Sequence, residues 1–226
     1  MFKKRLIKRT ADGSNTIYLP HLDEHYHSIH GAIKESQHVF IKNGLENFHN
    51  CSISILEIGF GTGLNALLTC LETERLKLTI NYTGIEAYPV SKNQALSMDY
   101  CKLIDHENCK SIYHKLHEPI WERSYEITKN FALEKKLMLF QDLTYKNAFN
   151  LVYFDAFGAR VQPELWTEDI FKIMYNLMIK DGILVTYSAK GSVRRAMQRV
   201  GFAVERLPGP PGKREMLRAR KMQNGE

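Results

Sequence analysis

The sequence predicts an α/β protein with a mostly parallel, doubly wound sheet, an antiparallel edge and a small N-terminal extension. From Ser52 onward, strand-like and helix-like segments alternate, which is typical of a parallel sheet covered by helices on both faces. The run FNLVYFDAF, residues 149–157, is apolar almost throughout, as expected of a strand at the centre of such a sheet. The run ILEIGFGTGLN, residues 55–65, puts a glycine-rich turn between a strand and a helix. Open sheets of this kind bind ligands at such turns.

Length and composition indicate one domain of ordinary globular character. The chain has 226 residues, of which 44% are hydrophobic and 25% are charged. The net charge of +6 favours a polyanionic partner such as nucleic acid, although many basic proteins bind none. The start, MFKKRLIKRT, lacks the apolar region of a signal peptide, and no apolar run is long enough to span a membrane. We therefore expect a cytoplasmic protein, with a monomer favoured.

The cysteines give no sign of a metal or disulfide framework. Cys51, Cys70, Cys101 and Cys109 have neither CxxC spacing nor a companion histidine pattern. We expect all of them to be reduced thiols, as is usual in the cytosol.

The chain is expected to divide into an N-terminal extension, residues 1–50, packed on a main domain, residues 51–226. In the extension, Asp12-Gly13 indicates a hairpin, and a helix over roughly 31–42 would turn Val39 and Phe40 to the core. In the main domain, strands are predicted at 52–60, 78–88, 149–157 and 182–188, helices at 64–76, 90–104, 164–179 and 192–202, and hairpins at 125–143 and 203–220. The first of these hairpins is expected to turn at Glu134-Lys135-Lys136, Gly182 is expected to cap the third helix, and residues 105–124 have no assignment.

The glycine turn has an acid in front of it. The order is Glu57-x-Gly59-x-Gly61-x-Gly63, and Leu64 stands where a phosphate-binding GxGxxG turn has its third glycine. Glycines let a ligand approach the backbone, whereas Glu57 would repel a pyrophosphate. The pattern suits a cationic ligand such as S-adenosylmethionine, with its amino and sulfonium groups. A structural tight turn and a nicotinamide site without the last glycine are the alternatives.

Further acids follow the predicted strands. Glu86 ends the second strand, where related folds bind ribose hydroxyls, although a strand-end glutamate can also be a solvated rim residue. Asp142 follows the strand LMLFQ and is assigned to the adenine amino group.

A fourth strand delivers Asp155 into the same crevice. A buried carboxylate needs a partner or a task, so Asp155 is a candidate to orient an acceptor amine and take its proton. The alternative is that Asp155 only caps the following turn. Phe157 is a candidate to stack on a base.

Four motifs together resemble a known family. LEIGFGTGLN, YFDAFGARVQPELWTEDIF, YSAKGSVRRAMQRVGF and GPPGKREM are similar to the methyltransferase half of the bifunctional tRNA-modifying MnmC proteins and to the stand-alone MnmD form. The resemblance runs from about Asp12 to the end of the sequence. It implies a class I, Rossmann-like methyltransferase that uses S-adenosylmethionine and acts on the anticodon stem-loop of tRNA. The reaction implied converts wobble 5-aminomethyl-2-thiouridine to 5-methylaminomethyl-2-thiouridine, and we expect the flavin-dependent oxidase of the bifunctional proteins to be absent.

The resemblance also implies site residues. Asp155 would face the acceptor, and Gln141 departs from the glycine that the family usually has before Asp142, which puts the adenine contact in question. The cofactor site would consist of Glu57, Gly59, Phe60, Gly61, Thr62, Gly63, Asn65, Glu86 and Asp142.

Basic residues cluster where a tRNA could bind. Singly, each is an ordinary surface charge, but as a set they suit phosphate contacts, with Lys213 and Arg214 on a proline-held loop. Tyr26, together with Ser28 and Glu35, is expected to close over the cofactor or the base. The candidates for RNA binding are Tyr26, Lys190, Arg194, Arg195, Lys213 and Arg214, supported by Arg199, Arg218, Arg220 and the basic start of the chain.

No metal site is expected. His25, His27 and His30 lie close together in sequence, but no carboxylate or cysteine completes a recognisable ligand set.

Three rival functions remain open at this point. The nearest is a methyltransferase of another amine, either a small molecule or a protein. The others are a nicotinamide-dependent oxidoreductase and a non-catalytic nucleic-acid-binding module.

Overall fold

The computed structural model describes residues 4–118 and 120–222, which form two sheets with helices around the larger one. The strands are β1 (Leu6–Arg9), β2 (Asn15–Leu19), β3 (Glu24–His25), β4 (Ser52–Ile58), β5 (Thr79–Glu86), β6 (Ser124–Thr128), β7 (Phe131–Leu137), β8 (Phe149–Phe154), β9 (Met178–Thr186), β10 (Phe202–Pro208) and β11 (Glu215–Lys221). The α-helices are α1 (Ala32–Ser36), α2 (Leu64–Leu71), α3 (Thr73–Leu76), α4 (Lys92–Leu96), α5 (Cys109–His117), α6 (Glu168–Leu177) and α7 (Gly191–Val200). A π-helix (Gln37–Lys42) and short 3₁₀ turns (Leu45–Asn47, Tyr100–Lys102, Phe140–Asp142 and Pro163–Trp166) complete the elements.

The larger sheet confirms the predicted fold class. Its strand order is β10-β11-β9-β8-β4-β5-β7-β6, and the five strands from β9 to β7 are parallel to one another. Both edges are antiparallel, because β11 and β10 extend one side and β6 pairs with β7 on the other. The sequence predicted an antiparallel pair at one edge only.

The sheet is buried on both faces. In β4, Ile55 packs into the apolar cluster that contains residues of α2 and α5, whereas Leu56 and Ile58 pack into the cluster that contains residues of α6 and α7. A strand whose two faces are both buried has no polar side to alternate with, which explains its nearly continuous apolar run.

The N-terminal segment contributes to this core. β1 and β2 form the hairpin expected around Asp12-Gly13, and α1 with the π-helix covers the predicted helix. Val39 and Phe40 are buried as expected, and the Phe40 ring lies 5.1 Å from the ring of Tyr153 in β8. The division at residue 50 stays a prediction.

Two local predictions in the middle of the chain are wrong. The segment 90–104 is not one helix, because Asp99 has a φ of +56° and interrupts it after α4. The hairpin of β6 and β7 turns at Lys129-Asn130, and Lys135 is a buried residue of β7 whose ammonium donates to the carbonyl of Leu116.

Two further details differ from the predictions. Helix α6 ends at Leu177 and its last carbonyls accept the backbone N–H groups of Asn147 and Ala148, so Gly182 is a buried residue of β9 and caps nothing. Cys101 and Cys109 form a disulfide, which makes the prediction of four reduced thiols wrong for this pair. In sequence they looked unrelated because no CxxC spacing joins them.

Truncating the core under the sheet will destabilise the fold. Phe171 is fully buried in α6 against Phe154 and Trp166. We expect Phe171→Ala to lower the free energy of unfolding by about 3–5 kcal/mol, because it removes apolar burial and leaves a cavity. Urea denaturation checks this, with the neighbouring exposed Lys172→Ala as the control. Equal midpoints for both variants would contradict the packing.

Candidate active site

The carboxyl ends of three neighbouring parallel strands bring the predicted acids together. β4 lies between β5 and β8, and Ile58 is paired with Ile85 on one side and with Phe154 on the other. The glycine turn therefore emerges between Glu86 and Asp155. This is the edge at which open α/β sheets bind their ligands.

The glycine turn has a left-handed backbone, and it packs closely against Asp155. Gly59, Gly61 and Gly63 all have positive φ, of +90°, +51° and +73°. A Cβ on Gly59 would lie 2.7 Å from the carbonyl oxygen of Asp155, which is closer than a carbon can approach. Only glycine fits there, so the turn fixes how close the loop comes to Asp155.

Glu86 faces the turn as predicted. Its Oε2 accepts the backbone N–H of Gly61 at 3.0 Å, and its Oε1 accepts the backbone N–H of Tyr88 at 2.8 Å. The carboxylate thus joins the loop after β4 to the loop after β5. It is partly exposed, so its outer lone pairs face the edge where a ribose would bind.

A side-chain amide links the two other acids. The Nδ2 of Asn65 donates to Glu57 Oε1 and to Asp155 Oδ2, at 2.9 Å in both cases. The second oxygen of Glu57 accepts the hydroxyl of Tyr82 at 2.8 Å. Glu57 is therefore a buried residue with protein partners on both oxygens, and it holds Asn65, which in turn holds Asp155. The Oδ1 of Asn65 is buried and has no hydrogen-bond partner.

Burial shifts the protonation of both carboxyls. Burial and the nearby charge of Asp155 raise the pKa of Glu57 well above its usual value. Burial and the charge of Glu35 raise the pKa of Asp155 to about 7, against the lowering effect of the Asn65 hydrogen bond and of Lys213. A carboxyl with a pKa near neutrality is suited to exchange a proton with a substrate.

Two aromatic side chains lie beside the glycine turn and Asp155. The ring of Tyr26 stands edge-on to the ring of Phe157, with 5.2 Å between centroids, and lies 3.4 Å from the position of a Cβ on Gly61. Tyr26 directly follows β3, and Phe157 lies two residues after Asp155. The expected closure of Tyr26 over the loop thus has a contact to support it.

Phe60 and Thr62 face inward. The Phe60 ring packs on Gly84 of β5, where a Cβ would lie 2.5 Å away. The carbonyl of Thr62 accepts hydrogen bonds from the Tyr113 hydroxyl and from the His117 ring. These inward contacts of Phe60 and Thr62 fix the glycine turn to β5 and α5. Asp142 lies exposed in the 3₁₀ turn after β7, the strand next to β5.

The basic candidates differ in their exposure and in their partners. Lys190 and Arg195 are exposed at the start of α7, and Arg214 is exposed in the loop before β11, which puts them near the carboxyl end of β9. The ammonium of Lys213 instead binds Glu35. Arg194 is partly buried in the first turns of α7. Of the supporting residues, Arg199 and Arg218 form ion pairs with Glu168 and Glu205, and Arg220 donates to the carbonyl of Asp181.

Sequence reasoning missed two aromatic residues of the site. Tyr82 lies in the middle of β5 and looked like core, and only its hydroxyl, on Glu57, shows its role. Tyr187 follows β9 and donates its hydroxyl to the carbonyl of Ala156, beside Asp155. In the sequence, Tyr187 could have been identified as a site residue from its position just after a parallel strand, where sheets of this kind bind ligands.

These residues fit S-adenosylmethionine on the structure alone. The glycine turn has no side chains at three positions beside the strand ends, Glu86 suits ribose hydroxyls, and the unpaired Oδ1 of Asn65 can accept a hydrogen bond from an amino group. Among the residues described, 4–118 and 120–222, there is no group of three or more metal-ligating side chains. Within the same ranges no helix is both long and apolar enough to cross a membrane.

Comparison with known proteins identifies the class. Residues 117–222 match the model of a family described as S-adenosyl-L-methionine-dependent methyltransferase. Together with the parallel sheet and the glycine turn, this match makes the chain similar to the S-adenosyl-L-methionine-dependent methyltransferases. The predicted cofactor is thereby confirmed.

The particular relatives are the MnmC proteins. The chain is 30% identical over 222 residues to the tRNA 5-methylaminomethyl-2-thiouridine biosynthesis bifunctional protein MnmC of Cupriavidus metallidurans, covering 91% of this chain and 32% of that protein. It is 28% identical over 211 residues to MnmC of Hydrogenovibrio crunogenus, covering 86% of this chain and 31% of that protein. The chain thus spans about a third of the length of these curated relatives.

A solved structure agrees with the relatives. The crystal structure of MnmC2 from Aquifex aeolicus superposes with a TM-score of 0.81 at 27% identity, covering all of this chain and 74% of that one. Spermidine synthase from Thermotoga maritima, at a TM-score of 0.54 and 14% identity, shares the fold alone. The predicted resemblance to the methyltransferase part of MnmC is confirmed.

A methyl group on the glycine turn will test its role. We expect Gly59→Ala to weaken binding of S-adenosylmethionine and to destabilise the protein by about 1–3 kcal/mol, because its φ of +90° is strained for alanine and the Cβ meets Asp155. Calorimetric titration and thermal unfolding measure the two effects. Gly158→Ala is the matched control, since its Cβ would lie at an ordinary 3.5 Å from the Tyr187 hydroxyl. Unchanged donor affinity in Gly59→Ala would contradict this role.

The raised pKa of Asp155 predicts a pH dependence of stability. Folding moves this pKa from 3.8 to about 7, so within that window the folded state binds more protons than the unfolded state. The Asp155 contribution to stability is therefore complete below the window and is lost as pH rises through it. We expect Asp155→Asn, which cannot ionise, to gain stability relative to the natural protein over that range. Urea unfolding at several pH values measures this, with exposed Asp105→Asn as control; parallel curves for Asp155→Asn and the natural protein would contradict it.

Proposed function

We propose that this protein transfers a methyl group from S-adenosylmethionine to the aminomethyl group of wobble 5-aminomethyl-2-thiouridine in tRNA. The observation that carries the proposal is the Asp155 carboxyl, whose pKa is raised to about 7 and which is held by Asn65 beside the glycine turn. An alkylamine is protonated at neutral pH and has no free lone pair. An amine acceptor therefore requires a base whose pKa lies near neutrality and which can remove this proton.

The donor and the side chains divide the chemistry between them. Bound S-adenosylmethionine supplies an electrophilic methyl group on a sulfonium. Asp155 takes a proton from the acceptor ammonium and orients the freed lone pair, so that a nitrogen–carbon bond forms as the sulfur–carbon bond breaks and a neutral thioether leaves. Asn65 holds Asp155 in place, and Glu86 and the glycine turn hold the donor.

The charge around the site favours RNA over a small amine. Arg194 and the exposed side chains of Lys190, Arg195 and Arg214 lie at the edge of the sheet where Asp155 emerges, because α7 begins after β9 and the residue opposite the end of β9 is Leu217 of β11. Phosphate contacts from these residues would position an anticodon stem-loop. A small amine would have no use for them.

The proposal also assigns roles to the two parts of the chain. Residues 51–226 form the methyltransferase domain, and residues 1–50 form an extension that supplies Tyr26 and Glu35 to the acceptor side. Phe157 and Tyr26 would contact the base, and Asp142 the adenine. A tRNA substrate places the protein in the cytoplasm, and we propose that it acts as a monomer.

Nucleoside mass spectrometry tests the function. Purified tRNA carrying 5-aminomethyl-2-thiouridine is incubated with the protein and S-adenosylmethionine, and we expect that nucleoside to gain one methyl group. Asp155→Ala should reduce the rate by about a hundredfold or more, as expected for loss of a general base. Asp105→Ala, an exposed aspartate away from the strand ends, is the control.

Three outcomes are informative. Methylation that is lost only in Asp155→Ala supports both the substrate and the role of Asp155. Donor binding without methylation of this nucleoside would overturn the tRNA assignment and leave another amine as the acceptor. Full activity in Asp155→Ala would overturn the role of Asp155 alone.

A further inference from the structure

Lys213 occupies an unusual position for a loop lysine. Its ammonium lies 2.5 Å from Glu35 Oε1 and 3.8 Å from the centroid of the Tyr187 ring. The predicted phosphate contact would need this ammonium to face solvent. Instead it is held between a carboxylate and an aromatic face.

Glu35 is built into the protein around this contact. The residue is only 6% exposed, and the second oxygen of its carboxylate accepts the backbone N–H of Ser28 at 2.8 Å. The loop that carries Lys213 is pressed onto the same segment, since a Cβ on Gly212 would overlap the ring of His30. A buried carboxylate is costly without a cation, so this position requires a positive charge.

The cluster borders Asp155. The hydroxyl of Tyr187 donates to the carbonyl of Ala156, the residue after Asp155. The charges of Glu35 and Lys213 both act on Asp155, one raising and the other lowering its pKa. The cation between Glu35 and Tyr187 therefore lies on the side where an acceptor amine must approach.

The chemistry of the cluster is that of an alkylammonium site. Carboxylates bind ammonium groups by charge-assisted hydrogen bonds, and aromatic faces attract the same cation. The ε-ammonium of a lysine on its last methylene and an aminomethyl group on a uracil ring are the same chemical group, CH₂–NH₃⁺.

We propose that Glu35 and Tyr187 form the binding site for the ammonium of the acceptor, and that Lys213 fills this site until the acceptor replaces it. The inference rests on the proposed aminomethyl substrate. Replacement exchanges one ammonium for another, so Glu35 keeps a cationic partner while the acceptor binds, and its buried charge is not left alone at that step. The displaced Lys213 is then free to face the phosphates of the RNA.

Binding measurements on two RNAs test this. The RNAs are anticodon stem-loops that differ only in a 5-aminomethyl group on the wobble uridine, and affinities are measured with S-adenosylhomocysteine present. We expect Glu35→Gln to lower the affinity ratio of aminomethyl to unmodified RNA by about tenfold, because a charged hydrogen bond is lost. The amide oxygen of the introduced glutamine can still accept the Ser28 N–H, so the fold is preserved, and thermal unfolding verifies it.

Lys213→Met is the second variant. It removes the competing ammonium, so the affinity for the aminomethyl RNA should rise while that for the unmodified RNA stays level or falls slightly. Lys180→Met changes an exposed lysine near the amino end of β9, away from the carboxyl ends of the parallel strands; it is the matched control and should change neither affinity. Should Glu35→Gln unfold, Tyr187→Leu, which removes the aromatic face, is expected to lower the same ratio.

The outcomes separate this inference from the proposed function. An unchanged ratio in Glu35→Gln, or an equal loss on both RNAs in Lys213→Met with a shallower salt dependence, overturns the inference and makes Lys213 a phosphate ligand. Methyl transfer is scored in parallel samples of the same variants and RNAs, with S-adenosylmethionine in place of S-adenosylhomocysteine. Methyl transfer together with an unchanged affinity ratio in Glu35→Gln would overturn the ammonium site alone. A ratio that falls in Glu35→Gln without methyl transfer by the natural protein would overturn the proposed reaction and retain the ammonium site.

Discussion

The hydrogen bonds of one amide, Asn65, set the geometry on which the site depends. Its two N–H groups are divided between Glu57 and Asp155, so the buried acid of β4 and the acid at the end of β8 are held at fixed positions across α2. Because Asp155 is held in this way, Gly59 of the glycine turn can pack directly against its backbone. Burial raises the pKa of both carboxyls, and the charge of Asp155 adds to the rise at Glu57, whereas the hydrogen bond from Asn65 lowers the pKa of each.

The N-terminal segment and the loop between β10 and β11 meet on one side of Asp155. The N-terminal segment provides Tyr26 and Glu35, and the loop between β10 and β11 provides Lys213. The parallel strands alone would leave that side open. Under the function proposed above, the sheet would build the donor side and these added segments the acceptor side, so a change of acceptor need not disturb the donor site.

The sequence predicted what depends on short-range pattern. The strands β4, β5, β8 and β9, the glycine turn, and the positions of Glu86 and Asp155 at strand ends followed from apolar runs and from the rule that ligands bind at strand ends. Helix α5 was missed although Ile112, Tyr113 and Leu116 have helical spacing, because short polar stretches break its pattern. The Lys213–Glu35 pair and the Cys101–Cys109 bond could not be predicted, since each depends on loop geometry that leaves no period in the sequence.

The covalent tether of Lys213 has a consequence for which amines can react. A lysine on a short loop is present at its own binding site at an effective concentration in about the millimolar range. A free metabolite amine at lower concentration cannot compete with it, even if it fits between Glu35 and Tyr187. An amine that arrives on a macromolecule bound at several points is tethered in the same way and competes on equal terms. Under the proposed ammonium site, selectivity for a large substrate would arise from the effective concentrations of the competing ammonium groups rather than from the shape of the pocket.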